Sequence, residues 1–283
     1  MRSINNIHPA EYSPIADLIT YSPLPTRQLA QIDPFLFLNH HGYQTYPPRN
    51  NGLPFGPHPH RGMETVTFIV DGDIMHKDSQ GYQSVITAGG VQWMTAGRGL
   101  IHAEVSSAGF LAEGGPLEIL QLWVNLPARL KLTEPAYEGL QKEQIPAIPV
   151  SAGVDLNLVS GVWEGQPGAF NTLSDVFLST IAFQPGGQIR LPVAADRNIL
   201  FYVIRGSLTV NGQTVDQRQL VTFNPDGDSL EVTATTDALL LFGHAVPFNE
   251  PVVARGPFVM NSEQEIMDAY RDYQLGKFGT WKG

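Results

Sequence analysis

Along this chain, short apolar runs alternate with turn dipeptides, and long amphipathic stretches are rare. Thr65-Val66-Thr67-Phe68-Ile69-Val70 is β-branched and aromatic and stops at Asp71-Gly72, the pattern of a strand entering a tight turn. Residues 117–124 (LEILQLWV) form a second such run. In the second half, residues 198–204 lead to Arg205-Gly206, Ser207 to Val210 meets Asn211-Gly212, and residues 238–242 are again apolar. An Asn-Gly between two such runs is the strongest short-range hairpin signal. Helix is predicted chiefly at the C-terminus, where Ser262-x-x-Glu265 is a capping box. Ile266, Met267, Ala269, Tyr270 and Tyr273 follow at roughly helical spacing, and Gly276 supplies the stop. A shorter helix is predicted near Tyr137 to Leu140. The stretch Ile145-Pro146-Ala147-Ile148-Pro149, with Ser151-Ala152-Gly153 behind it, reads as the domain junction.

The two halves repeat. Phe68 to Ile74 aligns on Tyr202 to Leu208 at an offset of 134, and Gly97-Arg98-Gly99 aligns on Pro225-Asp226-Gly227 at an offset of 128. Each half carries a strand, a glycine turn, a return strand and a later turn before another strand. A small β-barrel used twice fits this order. The expected domains are residues 1–145 and 146–283, with the C-terminal helix packing against a barrel.

Composition agrees with that picture. The 283 residues include 28 Gly and 22 Pro, and only 16% are charged, so the chain is turn-rich and long enough for a large core. A formal charge of −10 argues against direct binding to nucleic acid or an anionic membrane, both of which need a basic footprint. Cysteine is absent, which removes disulfides, thiolate metal sites and cysteine nucleophiles together. No apolar leader opens the sequence and no run of about 20 apolar residues occurs. A soluble, cytoplasmic protein is expected.

The chemistry therefore rests on histidine and carboxylate. Of eight histidines, two stand in Pro57-His58-Pro59-His60-Arg61-Gly62, at the i, i+2 spacing that puts both on one strand face about 6.6 Å apart. Pro59 holds His58 extended and confines this strand to an edge or a start. His102-Ala103-Glu104 has the same spacing and follows a glycine turn. Two strands presenting these pairs would build a site of three nitrogens and one oxygen with open positions, suited to Fe, Mn, Co, Ni, Cu or Zn. At the aligned offsets His58, His60, His102 and Glu104 become Pro192, Ala194, Leu230 and Val232. Only one barrel is then metallated.

Residues 57–66 and 92–104 resemble the pirin family of two-barrel cupins, as do residues 120–126, Gly256-Pro257-Phe258-Val259-Met260-Asn261 and Asp33-Pro34-Phe35-Leu36. The resemblance implies an all-β fold of two tandem cupin (jelly-roll) barrels with a short C-terminal helix. It implies one mononuclear divalent metal, Fe(II) first, held in the N-terminal barrel by His58, His60, His102 and Glu104. In the general cupin scheme the carboxylate ligand falls instead on Glu64, which stands at an even spacing from His60 and is a rival. Glu104 is favoured because the pirin match is the longer one. Bacterial members imply quercetin 2,3-dioxygenase activity on a flavonol with O2, releasing CO, with Glu104 as the base. The alternative is a regulator whose metal redox state alters a protein-binding surface. His40 or His41 could line the pocket. His8, His76 and His244 read as ordinary histidines, and Trp93, Met94 and Trp123 as core. Arg61 and Arg98 flank the metal motifs, as anion binders or as loop anchors.

Overall fold

The computed structural model describes residues 1–281 and is almost entirely antiparallel β-sheet. Residues cluster into two compact units, each a cupin barrel. One comprises Ser13–Thr20, Leu36–Lys142 and Phe248–Gly283, and the other Met1–Tyr12, Tyr21–Phe35 and Glu143–Pro247. In mid-chain the clustering changes unit between Lys142 and Glu143, and each end of the chain groups with the barrel of the other half. Ile4–Pro9 pairs with Gln219–Phe223 in the second barrel. Residues 248–281, with the C-terminal helix, group with the first. The reason is local: the helix buries Ile266 and Ala269 in a cluster with Phe258, Met260, Phe278 and the partly buried Ile101.

In the first barrel one sheet carries, in spatial order, Ala136–Leu140, Val91–Thr95, Met63–Asp71, Gly115–Asn125 and Phe35–Tyr46. Its other sheet runs Phe55–His60, Leu100–Val105, Asp73–Asp78 and Gln83–Thr87. The second barrel repeats this order with Ile4–Pro9, Gln219–Phe223, Asn198–Arg205, Ala238–Ala245 and Val176–Phe183 in one sheet. Gln188–Pro192, Ser229–Ala234, Ser207–Val210 and Gln213–Asp216 form the other. The glycine turns of the sequence repeat adopt matching geometry, with φ +83° at Gly72 and +79° at Gly206. Asn211 and Gly212 both have positive φ, 47° and 84°, as a two-residue hairpin turn demands.

Two readings are corrected. Residues 136–140 form a strand paired with Val91–Thr95, not a helix. Packing decides it: Tyr137 stacks on His76 at 3.7 Å between ring centroids, and a side chain at Gly139 would meet Ile86 at 2.7 Å. The repeat register at the metal motif is also one residue off. His58 pairs with His102, whereas Leu230 pairs with Leu191. With His102 on Leu230, His58 and His60 therefore fall on Leu191 and Val193, both buried, not on the exposed Pro192 and Ala194. The conclusion that the second barrel lacks the ligand types is unchanged. Among the described residues, no helix is long and apolar enough to cross a membrane.

Candidate metal centre

The first barrel brings the two motifs together by strand pairing. His58 lies opposite His102 across the antiparallel pair Phe55–His60 and Leu100–Val105. One ligand nitrogen each from His58, His60 and His102 lies within 4.8 Å of the others, and the Nε2 atoms of His58 and His102 are 3.0 Å apart. His58 Nδ1 donates to the Gly56 carbonyl at 2.7 Å. His60 Nδ1 donates to the Pro257 carbonyl at 3.1 Å. A carbonyl on Nδ1 fixes the tautomer and leaves the Nε2 lone pair for a cation. His60 Nε2 is buried with no hydrogen-bond partner. Burial, then the neighbouring His58, pushes His60 down to about 3. Burial and the surrounding imidazoles push His102 well below the usual histidine value. Both are neutral donors at neutral pH. An orphaned buried nitrogen among converging lone pairs fits one divalent transition metal.

Glu104 stands two residues from His102 on the same buried strand face. Its carboxylate accepts from the Thr67 hydroxyl at 2.9 Å, and from the side-chain amides of Gln92 and Gln121. These three donors sit on strands of the opposite sheet and fix the carboxylate's orientation. The sequence reading missed them; His76, read there as an ordinary histidine, is buried next to His102. The His76 ring packs 5.5 Å from that of His102, with Nε2 on Asp78 at 2.9 Å. Alternation along Asp73–Asp78 puts Ile74, His76 and Asp78 together on its buried side. Trp123, read as core, has its ring 5.2 Å from His60, edge-on, and stacks on Phe37 at 4.6 Å. It walls the site.

Glu64 is placed elsewhere. The even spacing from His60 fails because the strand ends at His60 and a new one begins at Met63. Between them Gly62 adopts φ +82°, and a Cβ there would meet the Val259 carbonyl at 2.0 Å. Thr67 reaches Glu104, so Glu64, an odd three residues earlier, faces the other side of that strand. There it accepts from Thr95 Oγ1 at 2.7 Å, and burial pushes its carboxyl up to about 7.

The remaining candidates are structural. Arg61 donates to the Arg98 carbonyl at 2.7 Å and to Asp272 at 3.0 Å, and its guanidinium lies 4.7 Å over Phe278. Arg98 pairs with Glu134. Both are anchors. His40 is buried against Glu118 at 2.7 Å. His41 bonds Thr20 at 2.9 Å with its ring 5.2 Å from Phe55. His8 bonds Thr222 at 3.2 Å in the second barrel.

Comparison with known proteins agrees with the fold. The pirin family model matches residues 18–124, and the model of the pirin C-terminal cupin domain matches residues 178–279. The chain belongs to the pirin family. A pirin-like protein of Caulobacter vibrioides is 38% identical over 257 residues, covering 90% of this chain and 91% of its own. A Pseudomonas aeruginosa protein, named provisionally as a quercetin 2,3-dioxygenase, is 36% identical over 94% of this chain and 92% of its own. The crystal structure of a quercetin 2,3-dioxygenase from Acinetobacter baumannii superposes with TM-score 0.93 at 32% identity, covering 99% of each chain. This pirin therefore carries the two-barrel fold with a candidate three-histidine metal site in its N-terminal barrel.

Proposed function

We propose that this pirin is a metal-dependent dioxygenase that cleaves a flavonol of the quercetin type with O2 and releases carbon monoxide. His58, His60, His102 and Glu104 hold one divalent transition metal, Fe(II) in the first place. The observation that carries this reading is the convergence of three imidazole nitrogens; Glu104 lies outside that close group, two residues from His102 on the same strand, its carboxylate gripped by three donors. When bound, the metal stabilises the oxyanion of the flavonol 3-hydroxyl and supplies the one-electron chemistry that dioxygen requires. The chain's own residues do the rest. Glu104 accepts the hydroxyl proton, while Thr67, Gln92 and Gln121 hold its oxygens in place. The stacked Phe37 and Trp123 rings give a planar substrate an apolar wall and keep water from the reacting face.

The test is turnover. Protein loaded anaerobically with Fe(II) is mixed with quercetin and oxygen, and carbon monoxide and loss of the flavonol absorbance are followed. Turnover by the wild type, absent in His58→Ala, is expected. Wild type indistinguishable from His58→Ala would overturn the activity. Full metal content after replacement of His58, His60 and His102 by Ala would overturn the site.

A further inference from the structure

The second barrel has lost the metal position but keeps a cavity of about 340 Å³, lined by Trp163, Phe177, His244, Arg190 and Glu164 among others. That volume is at the lower end for ligand pockets, which run about 300–1,000 Å³. The register places it. Thr65 pairs with Trp123 in the first barrel and Ile199 with His244 in the second, so His244 stands where Trp123 walls the metal site. The aromatic partner is kept too: His244 stacks on Phe177 at 4.7 Å and 3°, as Trp123 does on Phe37 at 4.6 Å and 29°. Below this level the barrel is filled by Leu191, Phe201, Leu230 and Phe242, all fully buried. What remains is a shallow aromatic pocket with no metal beneath it.

Its polar groups are set in one state. Arg197 Nε donates to His244 Nδ1 at 2.7 Å, and Arg197 is itself held by a two-pronged contact to Asp175. An imidazole that accepts at Nδ1 carries its hydrogen on Nε2, so the other edge of the ring is a donor. Burial and the Arg197 charge push His244 down to about 3, so this donor persists across the neutral range. The Arg190 guanidinium, anchored to Ser229 Oγ at 3.0 Å, adds a cation at the pocket. Glu164, on a hairpin turn at φ +47°, is the one opposing charge among the lining residues.

We infer that this pocket is a second, metal-independent binding site for a small planar aromatic carboxylate. Its ring lies against Phe177 and Trp163, and its carboxylate accepts from His244 Nε2 and Arg190. Aromatic faces supply the affinity and the two donors the orientation. The site owes nothing to the metal centre, so its fate is independent of the proposed dioxygenase activity.

The probe is 2-naphthoate, titrated into full-length protein labelled with ¹⁵N-tryptophan. The chain has four tryptophans, and Trp163→Phe identifies the relevant indole resonance. A saturable shift of the Trp163 resonance is expected. Arg190→Gln and His244→Phe should each weaken binding by about fivefold or more, the loss of one charge-assisted or neutral hydrogen bond. Glu164→Gln should tighten it, and uncharged 2-naphthylmethanol should bind at least about tenfold more weakly. Arg190 is on the surface, so that variant reports even if His244→Phe perturbs the aromatic cluster. No saturable shift at Trp163, equal binding of the alcohol, or unaltered affinity in Arg190→Gln would overturn the proposal.

Discussion

Glu64→Gln separates the two carboxylates that the sequence left in competition. Glu64 is 1% exposed, and burial raises its carboxyl from 4.5 to about 7, against the opposing hydrogen bonds from Thr95 and Trp93. A carboxyl whose folded pKa lies above its unfolded value binds more protons when folded, so its contribution to stability falls as pH rises between the two values. For a shift of about 2.5 units the full loss is roughly 3 kcal/mol, at 1.36 kcal/mol per unit. Gln keeps an oxygen for the Thr95 hydroxyl and removes the charge, but its amide hydrogens replace an acceptor. Part of the gain is therefore lost, and a net stabilisation of about 1–3 kcal/mol at pH 8 follows, vanishing near pH 5 where folded Glu64 is already protonated. At about 2–4 °C per kcal/mol, the thermal midpoint of the variant should exceed that of wild type at pH 8 and coincide with it at pH 5. Metal content should be unchanged. Loss of the metal, or a midpoint difference that does not vary with pH, would refute both the placement of Glu64 and the electrostatic reasoning.

Three further outcomes follow from the geometry. Gln121→Leu removes one donor from the Glu104 carboxylate and should lower metal affinity by about 10–100-fold with the fold intact; competition against a chromophoric chelator measures it. Lys131, buried against the carbonyls of Gly62 and Val259 and the side chain of Asn125, is pushed by burial from 10.5 down to about 8. Unfolded chains hold that proton more tightly, so stability rises with pH across that window. Relative to Lys131→Met, wild type should gain about 3 kcal/mol between pH 7 and 10.5 in paired denaturation curves. Arg61→Ala breaks the bond to Asp272 and the contact over Phe278, and should cost about 1.5–3 kcal/mol, read as faster amide exchange in residues 257–274.

Much of the architecture was legible because it rests on local signals. Strand Met63–Asp71 ending at Gly72, the Asn211-Gly212 hairpin and the Ser262 cap are each set by a few neighbouring residues. The histidine pairs were legible because period-two spacing survives inside a strand. What failed was parity carried across a break. Gly62 turns the chain between His60 and Met63, so an even spacing no longer means one face. The repeat slipped by one for the same reason, because the connections between matched strands differ in length. The strand at residues 136–140 was misread because its pairing with Val91–Thr95 lies outside any short window. The clamp around Glu104 was invisible because Thr67, Gln92 and Gln121 meet it only through tertiary packing.

That clamp also explains why the two barrels differ so completely. Thr67 pairs with Gln92 on one side and Gln121 on the other. The equivalent Phe201 pairs with Phe242, and the Tyr202–Leu220 register puts Val221 on its other side. Glu104 corresponds to Val232. The polar quartet Thr67, Gln92, Glu104 and Gln121 thus becomes Phe201, Val221, Val232 and Phe242, all in one apolar cluster. A buried carboxylate without its donors is costly, and buried amides without their acceptor are costly in turn. Intermediate barrels, with part of the quartet, pay the desolvation of polar groups that nothing satisfies. The stable solutions at these four positions are a connected polar quartet, here beside the candidate cation site, or a fully apolar one, and this chain contains one of each.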